Sequence, residues 1–164
     1  MELTLDFTLT SNHSISNHMG AVGKGGNAVM QYVYIIVLGL HVMAGVFWAG
    51  TTIAVARDPE IRIERFFRPQ MGAAGMVFLT GALLWYFFHS GYFGSMEMVL
   101  ALGTATALIA AGVQGALVGS ASRRLAGTDA ATETQLRAKM TRGERIAGGL
   151  LVITVLCMAT ARMF

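Results

Sequence analysis

One histidine lies deep within the first long apolar stretch of the chain. His41 stands about 10 residues into the uncharged run from Val29 to Ala56, which places it roughly 15 Å along a helix axis. Ionisable side chains at such a depth are costly in a bilayer, usually face the interior of a helix bundle, and indicate function. A histidine nitrogen in that position can ligate a haem iron.

The neighbours of His41 on the same helical face are two small residues and then an aromatic one. Ala44, Gly45 and Trp48 follow it at helical spacing, and together they form a flat recess beside an imidazole. A porphyrin needs that shape, with a nitrogen for the iron and room for the ring. We therefore predict that these four residues bind haem b. In the alternative interpretation His41 hydrogen-bonds to Gln114 or to a backbone carbonyl, and the small residues only permit close helix packing.

His89, at the end of the second apolar stretch, is the predicted second axial ligand, so the predicted metal ligands are His41 and His89. In an antiparallel helix pair His89 lies about five residues, roughly 7 Å, nearer the membrane surface, where a histidine can instead be solvated. Arg162 is expected at the same interface near the end of the chain. It can pair with a haem propionate or with Glu97, or it can simply anchor the helix end.

Four long apolar stretches must position these residues. The 164 residues are 54% hydrophobic and only 13% charged, with a mean hydropathy of +0.58, whereas soluble domains carry about 25% charged residues. The first three stretches are long enough for a helix to cross a bilayer, which takes about 20 residues. The fourth is shorter, but Arg162 can reach the interface and extend the helix by a turn. The alternating segments of a membrane barrel are absent. The predicted fold is an all-α, integral membrane four-helix bundle of residues 29–164. The predicted spans are 29–56, 70–89, 97–120 and 145–162.

Basic residues are concentrated in the first and third loops between the spans. The second loop has no Lys or Arg, and the N-terminal tail has only Lys24. The positive-inside rule then makes loops one and three cytoplasmic and places both termini outside. The location this predicts is a bacterial inner membrane. The sequence pI is near 9.4, and basic loops that contact anionic lipid headgroups explain this value. We therefore expect membrane lipids as partners, and we do not expect nucleic acid.

Signals in the loops predict where the helices begin. Asp58 and Pro59 predict the start of a short interfacial helix over 61–67 in the first cytoplasmic loop, and Pro69 is expected to open the second span. Thr141 and Glu144 have the spacing of a capping box directly before the fourth span. On these boundaries no acidic residue lies deep in any span, which argues against a carboxylate proton relay. Residues 1–28 are polar and glycine-rich, and are predicted to be a flexible extracytoplasmic tail.

The third span contains small residues at four-residue spacing. Ala111, Gly115 and Gly119 form a seam that predicts close helix packing, within the bundle or with a partner. Gln114 is the only strongly polar residue of that span.

The stretch from Leu40 to Gly50, with Leu-His followed by six residues and then Trp-x-Gly, resembles a recurring first-helix pattern. It is similar to the membrane domain of the copper-resistance protein D family and to the four-helix protoporphyrinogen IX oxidase of bacteria. This resemblance implies a four-helix membrane fold in which His41 ligates haem, while Trp48 and Gly50 form the framework.

Three functions from different classes remain open on the sequence. The first is a b-type haem protein for electron transfer, or for redox chemistry on a quinone or porphyrin, in the outer half of the membrane. The second is a cofactor-free accessory subunit of a larger respiratory or photosynthetic membrane complex, with the N-terminal tail as a clasp. The third is copper handling, suggested by the family resemblance and by the 11 methionines.

Overall fold

The computed structural model describes residues 5–58, 61–88, 91 and 94–163, and nearly all of them are helical. The helices are α1 (Leu5–Arg57), α2 (Ile63–Phe88), α3 (Ser95–Val113), α4 (Ser120–Arg124) and α5 (Ala130–Thr160). A π-helical segment, Gln114–Gly119, joins α3 to α4, and a 3-10 turn, Ala161–Met163, follows α5. No strand occurs within these described ranges.

The chain forms two compact units, Met1–Gly39 and Leu40–Phe164. The first unit contains the N-terminal part of α1. Because α1 begins at Leu5, the described part of the stretch predicted as a tail is helical, while its flexibility stays a prediction. The second unit contains the rest of α1 and all the other helices, and every contact discussed below lies within it.

Four helices are long and apolar enough to cross a membrane, which confirms the predicted all-α class and the number of spans for the described residues. Their candidate spans are Ala28–Arg57, Ile63–Phe87, Ser95–Arg124 and Ala130–Thr160. The second and fourth begin earlier than predicted, since residues assigned to loops from their charge are the first turns of helices.

The separate interfacial helix in the first loop is not formed. Residues 63–67 are the start of α2, which continues through Pro69, and Ile63 is only 5% exposed. Ile63 belongs to a buried cluster with Val55, Val118 and Met140. An interior proline disfavours a helix, but burial of this first turn against three other parts of the chain stabilises the continuous helix. The prediction of a separate short helix in this segment is therefore wrong, while its position at the lipid headgroups stays a prediction.

The predicted capping box before the fourth span is also wrong. Helix α5 begins at Ala130 after the N-cap Asp129, and Thr141 lies inside the helix, where its hydroxyl donates to the Arg137 carbonyl at 3.1 Å. The buried face of α5 explains the difference, because it repeats at helical spacing well before residue 145. Its members are Met140, Gly143, Glu144, Ala147, Gly148, Leu151 and Thr154.

The predicted small-residue seam packs against the bundle at two of its three positions. Ala111 is partly buried against the cluster around Trp48. Gly119 is covered by Phe67, because a Cβ added at Gly119 would lie 2.6 Å from the ring Cζ atom. A Cβ added at Gly115 would meet nothing within 4 Å, so Gly115 is not needed for this packing.

Candidate functional site

His41 is held against α2 by a side-chain hydrogen bond. Its Nδ1 atom lies 2.9 Å from Thr80 Oγ1, and the Thr80 hydroxyl also lies 2.6 Å from the Met76 carbonyl oxygen. A hydroxyl has only one proton to donate. Since Thr80 donates that proton to Met76, it must accept from the N–H of His41 Nδ1. This bonding assigns the tautomer in which Nε2 of His41 carries the lone pair.

Gly81, the residue after Thr80, lets the imidazole of His41 approach α2 closely. A Cβ added at Gly81 would lie 3.2 Å from His41 Cε1, so a larger residue there would push the ring away. The alternative bond between His41 and Gln114 is not made. Gln114 instead accepts a hydrogen bond from Trp48.

Helix α2 covers the face predicted to be an open recess. A Cβ added at Gly45 would lie 3.9 Å from Val77 Cγ2, and Trp48 is 1% exposed and packs edge-on against Phe78, with ring centroids 6.1 Å apart. Ala44 packs against the same cluster. His41 thus offers a haem iron a nitrogen donor on an imidazole ring of fixed orientation. A porphyrin lying on Ala44 and Gly45, however, would require α2 to move away.

A second polar arrangement lies in the bundle core, at the meeting point of four helical segments. Trp48 Nε1 donates to Gln114 Oε1 at 2.8 Å. The Gln114 amide nitrogen donates to Thr52 Oγ1 at 3.0 Å and to Glu144 Oε2 at 2.9 Å. Trp48 is 1% exposed and the other three are 0% exposed. Buried polar groups require such partners, and here one glutamine side chain links α1 to α5.

Gln70 of α2 completes this network. With its amide oriented to satisfy both neighbours, the nitrogen donates to Glu144 Oε1 at 3.2 Å and the oxygen accepts from the Thr52 backbone N–H at 3.3 Å. Both carboxyl oxygens of Glu144 then accept from an amide. We call Trp48, Thr52, Gln70, Gln114 and Glu144 the core network.

The π-helical segment begins at Gln114, the residue at the centre of the core network. A π-helical turn changes the register of a helix and occurs frequently at functional sites. In this chain it allows Gln114 to face the bundle centre while Gly119, at its other end, stays against Phe67.

The other predicted site residues are only partly described. His89 lies outside the described residues, and so does the side chain of Arg162, whose backbone is in the final 3-10 turn. Glu97, the predicted alternative partner of Arg162, accepts a hydrogen bond from the Gly94 N–H at 2.7 Å at the start of α3. Within the described ranges, no three or more His, Cys, Asp or Glu residues cluster as a metal site.

Sequence reasoning missed Thr52, Gln70 and Glu144. Glu144 lies within the fourth candidate span, Ala130–Thr160, and is 0% exposed, whereas the predicted span began one residue later and contained no acidic residue. A helical signal was present, because Met140, Ala147 and Leu151 place Glu144 on the apolar face of α5.

Comparison with known proteins assigns no relative to this arrangement. No protein-family model, curated protein or solved structure matches the chain.

Proposed function

We propose that the protein is a b-type haem-binding four-helix membrane protein in which His41 would ligate the haem iron. The observation that carries this proposal is the hydrogen-bond chain from His41 Nδ1 through Thr80 to the Met76 carbonyl. Histidines that ligate metals almost always donate their other ring N–H to an oxygen acceptor, which fixes the tautomer and orients the ring.

A bound haem supplies one-electron chemistry at this position. Thr80 keeps the Nε2 lone pair available, and Gly81 gives the imidazole its place against α2. We assign the second ligand to His89 and a propionate contact to Arg162, in line with the resemblance of the Leu40–Gly50 stretch to haem-binding membrane families. The role that follows is electron transfer, or redox chemistry on a quinone or porphyrin.

The orientation belongs to the same proposal. The stretches predicted as loops one and three contain almost all of the basic residues, so we place this end of the bundle in the cytoplasm and both termini outside a bacterial inner membrane. The end of α2 that precedes His89 then lies in the outer half of the bilayer, as does the proposed haem.

An absorption spectrum of protein purified in mild detergent, before and after dithionite reduction, tests the proposal. We expect a Soret band with sharp reduced α and β bands, and we expect His41→Ala to abolish it. Thr80→Val, which removes the acceptor for Nδ1–H together with the hydroxyl's own bond to the Met76 carbonyl, should weaken haem binding by roughly 10–100-fold. His18→Ala is the matched histidine control and should leave the spectrum unchanged. A featureless spectrum from folded protein with ample haem overturns the proposal.

A cofactor-free accessory subunit is the second candidate, and one observation favours it. Val77 already covers the recess at Gly45, so the helices pack without a cofactor on that face. This candidate predicts a colourless protein that co-purifies with a larger membrane complex after mild extraction. Mass spectrometry of the purified material shows whether other membrane proteins accompany the chain, as this candidate predicts, or whether the chain purifies alone.

A further inference from the structure

The Glu144 carboxyl is an ionisable group in the bundle core that the haem proposal does not use. We propose that Glu144 is a proton-binding site, which exchanges protons with solvent at the basic end of the bundle through a groove between α1 and α5. This inference does not depend on haem. It rests on the neighbours of the carboxyl, on the two hydrogen-bond states available to Gln70, and on the position of the groove.

Every hydrogen-bond partner of Glu144 among the described residues is uncharged. Gln114 faces it from the π-helical segment and Gln70 from α2, while α1 contributes Thr52 and Trp48 to the same network. The adjacent Arg145 is exposed and its Nε lies 3.4 Å from the Ala56 carbonyl oxygen, so it neutralises nothing in the core. A carboxylate without a cation is costly inside a membrane bundle, and a proton is the smallest ligand that removes its charge.

The Gln70 amide allows the carboxyl to be bonded both with and without the proton. In the ionised state the amide nitrogen donates to Glu144 Oε1 and the amide oxygen accepts from the Thr52 N–H. A half-turn of the amide presents its oxygen to Oε1, which then donates as O–H. The same half-turn brings the amide nitrogen to the Thr52 N–H, so that Gln70 gives up its bond to Thr52. Gln114 can donate to Oε2 in either state. A rotation of one side-chain amide therefore accompanies protonation.

A groove on the bundle surface lies beside this network. Its lining includes Ile53, Arg57, Arg145, Gly148 and Gly149. Gly148 separates the groove from the network, because a Cβ added there would lie 3.8 Å from Thr52 Cγ2 and Thr52 is 0% exposed. The proton exchange proposed for Glu144 therefore crosses this one packed layer.

The reaction is a simple proton transfer. Hydronium in the groove gives one proton to Glu144 Oε1, so that a new O–H bond forms, one O–H bond of hydronium breaks, and water remains. Release to a groove water at higher pH reverses each of these changes.

Infrared difference spectroscopy across a pH titration of the full-length protein in nanodiscs tests the proposal. We expect a carbonyl stretch of a protonated carboxylic acid that disappears as pH rises, is absent in Glu144→Gln, and persists in Glu97→Gln. Glu97 is the matched control, because it is also a buried acid, 8% exposed, but serves the start of α3. Absence of a titrating band in folded wild-type protein, or its persistence in Glu144→Gln, overturns the proposal and leaves a purely structural network.

Two further variants keep the test decisive. If Glu144→Gln does not fold, Gln70→Leu removes one hydrogen bond to the carboxyl and should shift the band to higher frequency and its titration midpoint to higher pH. An unshifted band overturns the assignment. Gly149→Leu fills the groove from its open side, since a Cβ there meets nothing within 4 Å. Gly149→Leu should slow the change of the carboxyl band after a pH jump and leave the midpoint of its pH titration unchanged. An unchanged rate overturns the proposed route.

Discussion

Trp48 links the apolar and polar parts of the bundle core. Its ring packs against Phe78 and its indole N–H is the donor to Gln114 Oε1. Trp48→Phe keeps an aromatic ring but leaves that oxygen without its donor. Interhelical hydrogen bonds in membranes average about 0.6 kcal/mol, whereas an unsatisfied buried group costs about 1–3 kcal/mol. We therefore expect a loss of about 2 kcal/mol in the free energy of unfolding, measured by titration from mild detergent into denaturing detergent.

The second tryptophan provides a matched control for this substitution. Trp85 is 43% exposed, so Trp85→Phe should change the free energy of unfolding by less than about 0.5 kcal/mol. Equal effects of the two substitutions contradict a specific role for the Trp48–Gln114 bond.

At the residue scale, the sequence indicated those polar groups that stand alone within apolar runs. His41 and Trp48 were recognisable because nothing charged lies near them, and both contact α2 through Thr80 and Phe78. The role of Glu144 was not recognisable in the same way. Arg142 and Arg145 flank it but are exposed, and only a helical projection of the whole segment separates that outer face from the inner one.

Helix α5 packs tightly against the π-helical segment at Gly143. A Cβ added there would lie 2.9 Å from Leu117 Cβ and 3.1 Å from Val118 Cγ2, so Gly143→Ala must push the two segments apart. Overpacking of this kind costs about 1–3 kcal/mol, and thermal unfolding in detergent should show a matching loss of stability. Since Glu144 follows directly, the same substitution should also weaken its bond to Gln114.

Gly115 in the π-helical segment is the control for this prediction. A Cβ at Gly115 meets nothing within 4 Å, and alanine is favoured over glycine in a helix by up to about 1 kcal/mol. Gly115→Ala should therefore be neutral or stabilising. If both alanine variants are destabilised to the same extent, the close approach at Gly143 is not the cause.

At the element scale, the number and type of helices followed from hydropathy, but two of their starts did not. In the first turns of α2 and the first half of α5, a charged outer face lies opposite a buried inner one, as with exposed Arg65 and buried Ile63. Counting charges along the chain assigns such turns to loops. The tertiary contacts of Ile63 and Met140, both in the cluster at the basic end, decide that they are helical, and these contacts require knowledge of which helices are neighbours.

At the scale of the whole molecule, the two ends of the bundle differ in charge. Helices α1 and α4 end in the arginines Arg57, Arg123 and Arg124, whereas the segment before α3 has no Lys or Arg. The core network and the groove both lie toward the basic end, which contains Arg57 and Arg145. The proposed proton exchange at Glu144 therefore faces the cytoplasm if the positive-inside rule holds for this chain.

Cysteine accessibility in intact cells tests this orientation directly. Cys157 is the single cysteine, so Cys157→Ala gives a background into which one exposed position at each end can be introduced. We expect Ser95→Cys, at the start of α3, to react with a membrane-impermeant maleimide in intact cells. Ala126→Cys, between α4 and α5, should react only after the membrane is permeabilised, because positive loops remain in the cytoplasm. The reversed pattern would place Arg57, Arg145 and the groove outside, so that Glu144 would exchange protons with the opposite compartment.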